Sequence, residues 1–331
     1  MKHDFKITLM LIAFFLAAQY VGLFIVDQYI SIETTVDEIT GEKTHNMTHA
    51  EALPLGFERP EVSEDFSWLY IMIAILIGTV IILVLARFKQ KRVWKIWYFI
   101  SLIFIMTIAL NPFFGPAISF FLSFILSGIK TYRPNFYVHN ITEIFLYGGL
   151  AAMLVPIMNI FAGLILLIVI AIYDAIAVWK SKHMVTLAEF QSDSNVFAGL
   201  FIPYKTQGKK IKLATKSVSQ SGKHKVTNSL SKSSKLKTKD LDDKNHLKKS
   251  HSTMERAILG GGDIAFPLVF AGTVMKTSGF FGAALIPPFA ALGLFILLYK
   301  SKKGKFYPAM PFISAGCILG YIVLALVNYI F

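Results

Sequence analysis

The segment from Trp68 to Ala86, WLYIMIAILIGTVIILVLA, decides the fold class because it is almost wholly apolar and carries no charged residue. A helix needs about 20 such residues to cross the hydrocarbon core of a membrane. Comparable runs recur along the chain, and together they predict an all-α, polytopic membrane protein. The predicted spans are 5–30, 68–86, 96–110, 114–129, 141–155, 157–179, 257–274, 280–299 and 308–331.

The composition excludes a soluble protein. Hydrophobic residues make up 55% of the 331 residues and charged residues only 16%, whereas a soluble domain carries about 25% charged residues. The single cysteine, Cys317, excludes an internal disulfide and a cysteine-based zinc site. The net charge of +13 does not predict a nucleic-acid partner, because the basic residues share a chain that lies mostly in the membrane.

Two pairs of spans are almost continuous, and prolines are expected to divide them. The turn Asn111-Pro112-Phe113-Phe114-Gly115-Pro116 separates the third span from the fourth, since proline lacks a backbone donor and disfavours helix in the preceding residue. Pro156 separates the fifth span from the sixth. If Pro156 only kinks a helix, as membrane helices tolerate, the count becomes eight and every later loop changes side.

The distribution of charge predicts the orientation of the chain. With nine spans, all Lys and Arg residues except Lys43, Arg59 and Lys276 lie on one side, and half of the acidic residues lie between Asp27 and Asp65 on the other. Cytoplasmic loops are enriched in Lys and Arg. We therefore expect an integral protein of the cell membrane with a cytoplasmic N-terminus and an external C-terminus.

Two loops differ from the spans in composition. Residues 31–66 form an acidic external loop, and residues 205–252 form a cytoplasmic insert rich in Lys, Ser and Thr with almost no large hydrophobic residue. Such a composition cannot form a packed core. We expect this insert to be disordered and to be attracted to anionic lipid at the membrane surface.

Four acidic residues fall within the predicted spans. Asp27 and Glu143 lie close enough to span ends to reach an interface. Asp174 lies six residues before Lys180, and Asp263 lies seven residues after Arg256. At 1.5 Å per residue, both are about 10 Å from the cytoplasmic ends of two helices that run in opposite directions. Intramembrane carboxylates are costly and usually functional.

Two carboxyls at one depth have three uses: they bind a cation, relay protons, or act as an aspartic protease dyad. In a dyad, the ionised carboxyl deprotonates a water molecule and the protonated one donates to the carbonyl oxygen of the amide. These titrations belong to the pair rather than to either residue.

The sequences around the two aspartates distinguish these uses. Asp174 follows Tyr173, Asp263 ends Gly260-Gly261-Gly262-Asp263, and the ninth span opens with Pro308-Ala309-Met310. This combination resembles the YD, GxGD and PAL motifs of the presenilin and signal peptide peptidase family of intramembrane aspartyl proteases, and most of all its archaeal members. The resemblance covers about 68–204 and 256–331, with Met310 in place of the family's leucine.

The resemblance implies a presenilin-like fold of nine transmembrane helices and assigns roles to residues. Asp174 and Asp263 would be catalytic, and Tyr173 and the glycines at 260, 261 and 262 would support the active site. Pro308, Ala309 and Met310 would contact the substrate. Residues 196–203 would add a strand to an unwound substrate. The substrates would be transmembrane helices of membrane proteins, and the reaction requires no metal and no cofactor.

An ion-coupled transporter or channel is the alternative, because its pathway would also retain intramembrane acids such as Asp174, Asp263 and Glu143. Such a protein needs neither glycines beside one acid nor a proline-bounded loop at the same depth. A zinc membrane protease and a rhomboid-like serine protease are disfavoured, since the chain lacks HExxH and GxSG.

We predict that a cysteine introduced at Thr44 reacts with a membrane-impermeant thiol reagent from outside, because the acidic loop is external. A cysteine at Ser231 should react only after the membrane is opened. Labelling of intact cells, with Cys317 as the unreactive internal control, tests both. External labelling at Ser231 would contradict the nine-span orientation.

Overall fold

The computed structural model describes residues 5–36, 43–50, 52–133, 135–179, 198–206, 253–301 and 307–330. The chain divides into a larger compact unit, residues 1–202 with 257–331, and a smaller unit, residues 203–256. Beyond Thr206, the predicted basic insert lies outside the described residues. The site described below belongs to the larger unit.

Long helices dominate the described part of the chain, as the apolar runs predict. There are nine: α1 (Phe5–Asp27), α2 (Ser67–Arg87), α3 (Lys91–Phe114), α4 (Pro116–Tyr132), α5 (Phe136–Leu154), α6 (Ile160–Trp179), α7 (Gly261–Ala283), α8 (Ile286–Lys300) and α9 (Met310–Ile330). Seven are long and apolar enough to cross a membrane, and α4 and α8 are shorter apolar helices. The predicted all-α class with nine membrane helices is confirmed.

The strands form two small sheets that the apolar runs do not reveal. Strands β1 (Ile30–Val36) and β2 (Lys43–Ala50) pair as an antiparallel hairpin within the acidic loop. Strands β3 (Gly199–Thr206) and β4 (Thr253–Gly260) form the second sheet. The seventh span was expected to begin at residue 257, but residues 257–260 end β4 and the helix begins at Gly261. Gly260 explains the later start, because its backbone is extended (φ −64°, ψ 147°) immediately before the helix and glycine is a poor helix former.

The helix break at Pro156 is present, so α5 and α6 are separate helices. A single 3-10 turn, Val155–Ile157, interrupts the helical chain. Asn159 then caps α6, because its side-chain oxygen accepts a hydrogen bond of 2.8 Å from the Ala162 N–H. This satisfies one of the backbone donors that a helix start leaves free.

The break between α3 and α4 lies at a glycine rather than at the expected proline. Pro112 is inside α3, which continues to Phe114. The chain turns at Gly115, whose φ of 75° lies in the left-handed region that glycine adopts at little cost. Pro116 then begins α4, where its missing N–H is not needed.

Close backbone packing between α8 and α9 fixes the position where α9 begins. A Cβ atom at Gly293 would collide with the carbonyl oxygen of Phe312, and one at Gly316 would collide with that of Phe289. Small residues allow such close approach of membrane helices. The start of α9, and with it the segment 308–310, is therefore held by contacts along the helix pair.

Lys276 stabilises the turn between α5 and α6. Its Nζ atom donates to the carbonyl oxygens of Met158 (2.7 Å) and Pro156 (3.3 Å), and to Glu64 Oε1 (3.1 Å). The two carbonyls belong to the residues where the helical hydrogen bonds are interrupted. The buried lysine thus replaces donors that the backbone no longer supplies.

We expect Lys276→Met to lower the free energy of unfolding by about 1–3 kcal/mol, because it leaves buried carbonyl groups without a donor. Thermal unfolding in detergent micelles measures the change. Lys300→Met is the matched control, since residue 300 is exposed and surface substitutions usually change stability by less than about 0.5 kcal/mol. Equal effects of the two substitutions would contradict this role of Lys276.

Candidate active site

The two intramembrane aspartates come together from neighbouring helices. Asp174 lies on α6, and Asp263 is the third residue of α7. These helices pack against each other, and the two carboxyls lie within electrostatic range. Both residues are partly exposed. The arrangement therefore brings two acidic groups to one place.

The segment 308–310 contacts this pair directly. The Met310 N–H donates a hydrogen bond of 3.1 Å to Asp174 Oδ2. Met310 is the first residue of α9, so its N–H is one of the donors that no helical carbonyl can satisfy. A carboxylate at a helix N-terminus is also favoured by the helix dipole. Asp174 thus caps α9, while Pro308 and Met310 are buried and Ala309 is partly buried.

The three glycines before Asp263 differ in what surrounds them. A Cβ atom at Gly260 would lie 3.1 Å from Asp263 Oδ2 and 3.7 Å from its carboxyl carbon. A Cβ at Gly261 would lie 2.8 Å from the hydroxyl oxygen of Tyr147, whereas one at Gly262 would make only an ordinary contact with Phe266 at 3.4 Å. A side chain at residue 261 would therefore force a shift, one at residue 260 would press on the Asp263 carboxyl, and one at residue 262 would fit.

Tyr173 is adjacent to Asp174 in the chain but is less clearly engaged. Its side chain is partly buried. The described hydrogen bonds of the site join Asp174 to Met310 instead. The structure thus brings Asp174, Asp263, Gly260 and Met310 together, and within the part of the chain that it describes the Tyr173 hydroxyl has no comparable contact.

Three polar residues near the site, Lys130, Glu143 and Tyr147, make contacts that the sequence did not predict. Glu143, expected to reach an interface, is fully buried, and its Oε1 atom accepts a hydrogen bond of 2.6 Å from Lys130. Tyr147 donates to the other carboxylate oxygen and packs against Gly261. The available signal was the spacing of Glu143 and Tyr147, four residues apart on one helix face.

Among the described residues, no group of three or more His, Cys, Asp or Glu side chains could hold a metal ion. Two neighbouring carboxyls can perform acid–base catalysis on a water molecule, which is the chemistry of an aspartic protease.

Comparisons with known proteins agree with this geometry. A family model matches residues 44–330, and it describes the family as "Signal-peptide peptidase, presenilin aspartyl protease". A search of curated proteins gives no significant match. The transporter alternative receives no support from these comparisons.

Two solved structures have a similar fold. One is a presenilin family intramembrane aspartate protease in space group C222, with 18% identity, a TM-score of 0.57 and coverage of 97% of this chain and 99% of that chain. The other is a presenilin family intramembrane aspartate protease in space group P2, with 18% identity, a TM-score of 0.56 and coverage of 96% and 97%.

The family model spans most of the chain, and the helices and the paired aspartates agree with it. This chain belongs to the family of signal-peptide peptidases and presenilin aspartyl proteases.

Proposed function

We propose that Asp174 and Asp263 are the catalytic dyad of this intramembrane aspartyl protease and that they hydrolyse peptide bonds within transmembrane helices. The observation that carries the proposal is that three segments meet. The carboxyls of α6 and α7 are near enough to interact electrostatically, and the N-terminus of α9 donates a hydrogen bond to Asp174. A structural ion pair would instead join each acid to a cation.

The reaction follows from two carboxyls that share one proton. The ionised carboxyl removes a proton from water as the water oxygen attacks the amide carbon, and the protonated carboxyl donates to the carbonyl oxygen. As the tetrahedral intermediate collapses and the C–N bond breaks, the carboxyl that took the proton from water gives it to the leaving amine, and the other carboxyl takes its proton back from a hydroxyl group of the intermediate. Two like charges so close cannot both form readily, which retains the shared proton.

The flanking residues support this dyad in the manner of a GxGD protease. Gly260 leaves space beside the Asp263 carboxyl that a side chain would fill. Gly261 and Gly262 start α7 with little bulk, and Tyr173 forms a wall of the site next to Asp174. The segment Pro308-Ala309-Met310 contacts the substrate and holds Asp174 through the Met310 N–H.

The substrate pairs with β4 rather than with β3, contrary to the role that the resemblance implies for residues 196–203. Asn140 on α5 bonds both backbone groups of Phe201: its side chain donates to the carbonyl oxygen (3.0 Å) and accepts from the N–H (3.1 Å). His139 Nε2 lies 2.8 Å from the carbonyl oxygen of Gly199. Since alternate residues of a strand direct their hydrogen-bonding groups to the same edge, α5 covers that edge of β3.

The outer edge of β4 is the one available to a substrate. Among the described residues, β4 pairs only with β3, and β4 ends at Gly260, three residues before Asp263. A peptide added there as a strand satisfies its exposed backbone groups and places its chain beside the dyad.

The basic insert, residues 205–252, is on the cytoplasmic side of the membrane, which is also the side of the N-terminus. It binds anionic lipid there.

We predict that Asp174→Asn and Asp263→Asn each lower the cleavage rate of a labelled transmembrane peptide by at least about 100-fold, because an amide cannot exchange the proton. The double variant should be about as inactive as either single variant, as expected for residues that act as a unit. Wild-type activity should fall at high pH, when the shared proton is lost, and at low pH, when both acids are protonated.

Asp27→Asn is the control for this experiment, since Asp27 ends α1 and has no role in the dyad. It should cleave the peptide at close to the wild-type rate. Sustained proteolysis by Asp174→Asn, in a preparation free of other proteases, would refute the dyad.

We predict that Gly260→Ala lowers kcat by about tenfold or more while the protein remains folded, because the new methyl group would press on the Asp263 carboxyl. A displacement of about 1 Å at a reacting group can cost about 100-fold. Gly128→Ala is the matched control, because a Cβ there would meet only Phe99 at 4.0 Å. Full activity of Gly260→Ala would show that the carboxyl has room to move.

A further inference from the structure

A buried polar cluster joins α4 and α5, and the proposed chemistry does not use it. The cluster comprises Lys130, Glu143 and Tyr147. Lys130 Nζ lies 2.6 Å from Glu143 Oε1, and the side chains are almost completely excluded from solvent. Tyr147, also buried, donates its hydroxyl hydrogen to Glu143 Oε2. Both carboxylate oxygens of Glu143 are therefore engaged.

Stability alone does not explain this cluster. Moving two charges from water into a low-dielectric interior costs about as much as their attraction returns, and apolar residues of the same size often stabilise a fold equally well. A membrane protein has still less reason to bury such charges. The cluster therefore indicates a role that depends on the position of its hydroxyl group.

Tyr147 lies against the first turn of the helix that carries Asp263. Its hydroxyl oxygen lies only 2.8 Å from the place where a Cβ atom of residue 261 would lie. Gly261 is the first residue of α7, and the electrostatic influence of Asp263 reaches Tyr147. The hydroxyl therefore limits how closely the start of α7 can approach α5.

The same face of α5 holds β3. His139 and Asn140 bond to the backbone of Gly199 and Phe201, and Glu143 and Tyr147 follow at helical spacings of three or four residues. One helix face thus contacts the sheet that would receive the substrate and also the turn that precedes Asp263. The geometry of this helix face therefore sets the distance between the sheet and the turn that precedes Asp263.

We propose that Glu143 and Tyr147 are positioning residues for the dyad: Glu143, paired with Lys130, directs the Tyr147 hydroxyl against Gly261, and this contact sets the position of Asp263 relative to the substrate strand. The proposal rests on the proposed function. It assigns these residues no contact with the reacting atoms, so their loss lowers kcat more than it raises KM.

A steric exchange at the contact tests the proposal. Tyr147→Phe should lower kcat about three- to tenfold with little change in KM, and Gly261→Ala should lower it about 100-fold, because its methyl group collides with the hydroxyl. The double variant Gly261→Ala/Tyr147→Phe should recover at least about tenfold over Gly261→Ala, since the hydroxyl that blocks the methyl group is gone. A double variant no more active than Gly261→Ala would overturn the proposal.

A matched pair of variants tests the role of Glu143 without leaving a buried charge unpaired. Lys130→Met/Glu143→Gln and Lys130→Met/Glu143→Leu both remove the ion pair, but only glutamine keeps an oxygen that can accept from Tyr147. The glutamine variant should have a kcat several-fold above that of the leucine variant, which should match Tyr147→Phe. Equal kcat values in two folded variants would contradict the role of the acceptor.

Tyr29→Phe controls for the general cost of a lost hydroxyl. Tyr29 is buried, and its hydroxyl donates a hydrogen bond of 2.7 Å to the carbonyl oxygen of Ile108. The substitution should therefore lower the melting temperature and leave kcat unchanged.

Different results would refute the proposed function and the positioning role. A wild-type protein that does not cleave the peptide refutes the proposed function, whereas normal cleavage with an inactive Asp263→Asn and an unaffected Tyr147→Phe refutes only the positioning role.

Discussion

The hydrogen bond from the Met310 N–H to Asp174 is the contact on which the site depends. It exists because a helix that begins inside the membrane has N–H groups without acceptors, and a carboxylate satisfies one of them. The close packing of α8 on α9 through Gly293 and Gly316 determines where that N–H lies. The packing of α6 on α7 then brings Asp263 to the same carboxyl.

The buried charges of the protein differ in how they are compensated. Lys276 is satisfied by backbone carbonyls and Glu64, and Lys130 by Glu143. Among the described residues, neither Asp174 nor Asp263 lies within ion-pair distance of a lysine or arginine. Two neighbouring carboxyls without a cation are most easily accommodated when they share a proton. The acid–base chemistry that we propose uses such a shared proton.

Interrupted backbone is found where the site needs it. The glycines at 260–262 end a strand and begin α7, and Pro308 precedes the start of α9. Irregular backbone within a membrane is tolerated where it is buried in protein or lines a water-filled cavity. In this protein it leaves room beside Asp263 and a free donor for Asp174, so that the breaks in regular structure create the site.

The sequence by itself determined the fold class and the helix count, and it drew attention to the two aspartates, because apolar runs of membrane length and intramembrane carboxylates are local signals. It misjudged the start of α7, where a glycine outweighed hydrophobicity, and within the predicted turn at 111–116 the break lies at Gly115 rather than at Pro112. It also could not reveal that Glu143 is paired with Lys130, that Asn140 covers the edge of β3, or that Tyr147 limits residue 261. Only the tertiary structure decided these contacts, because each joins side chains to groups on separate elements whose distance is set by the packing of helices rather than by spacing along the chain.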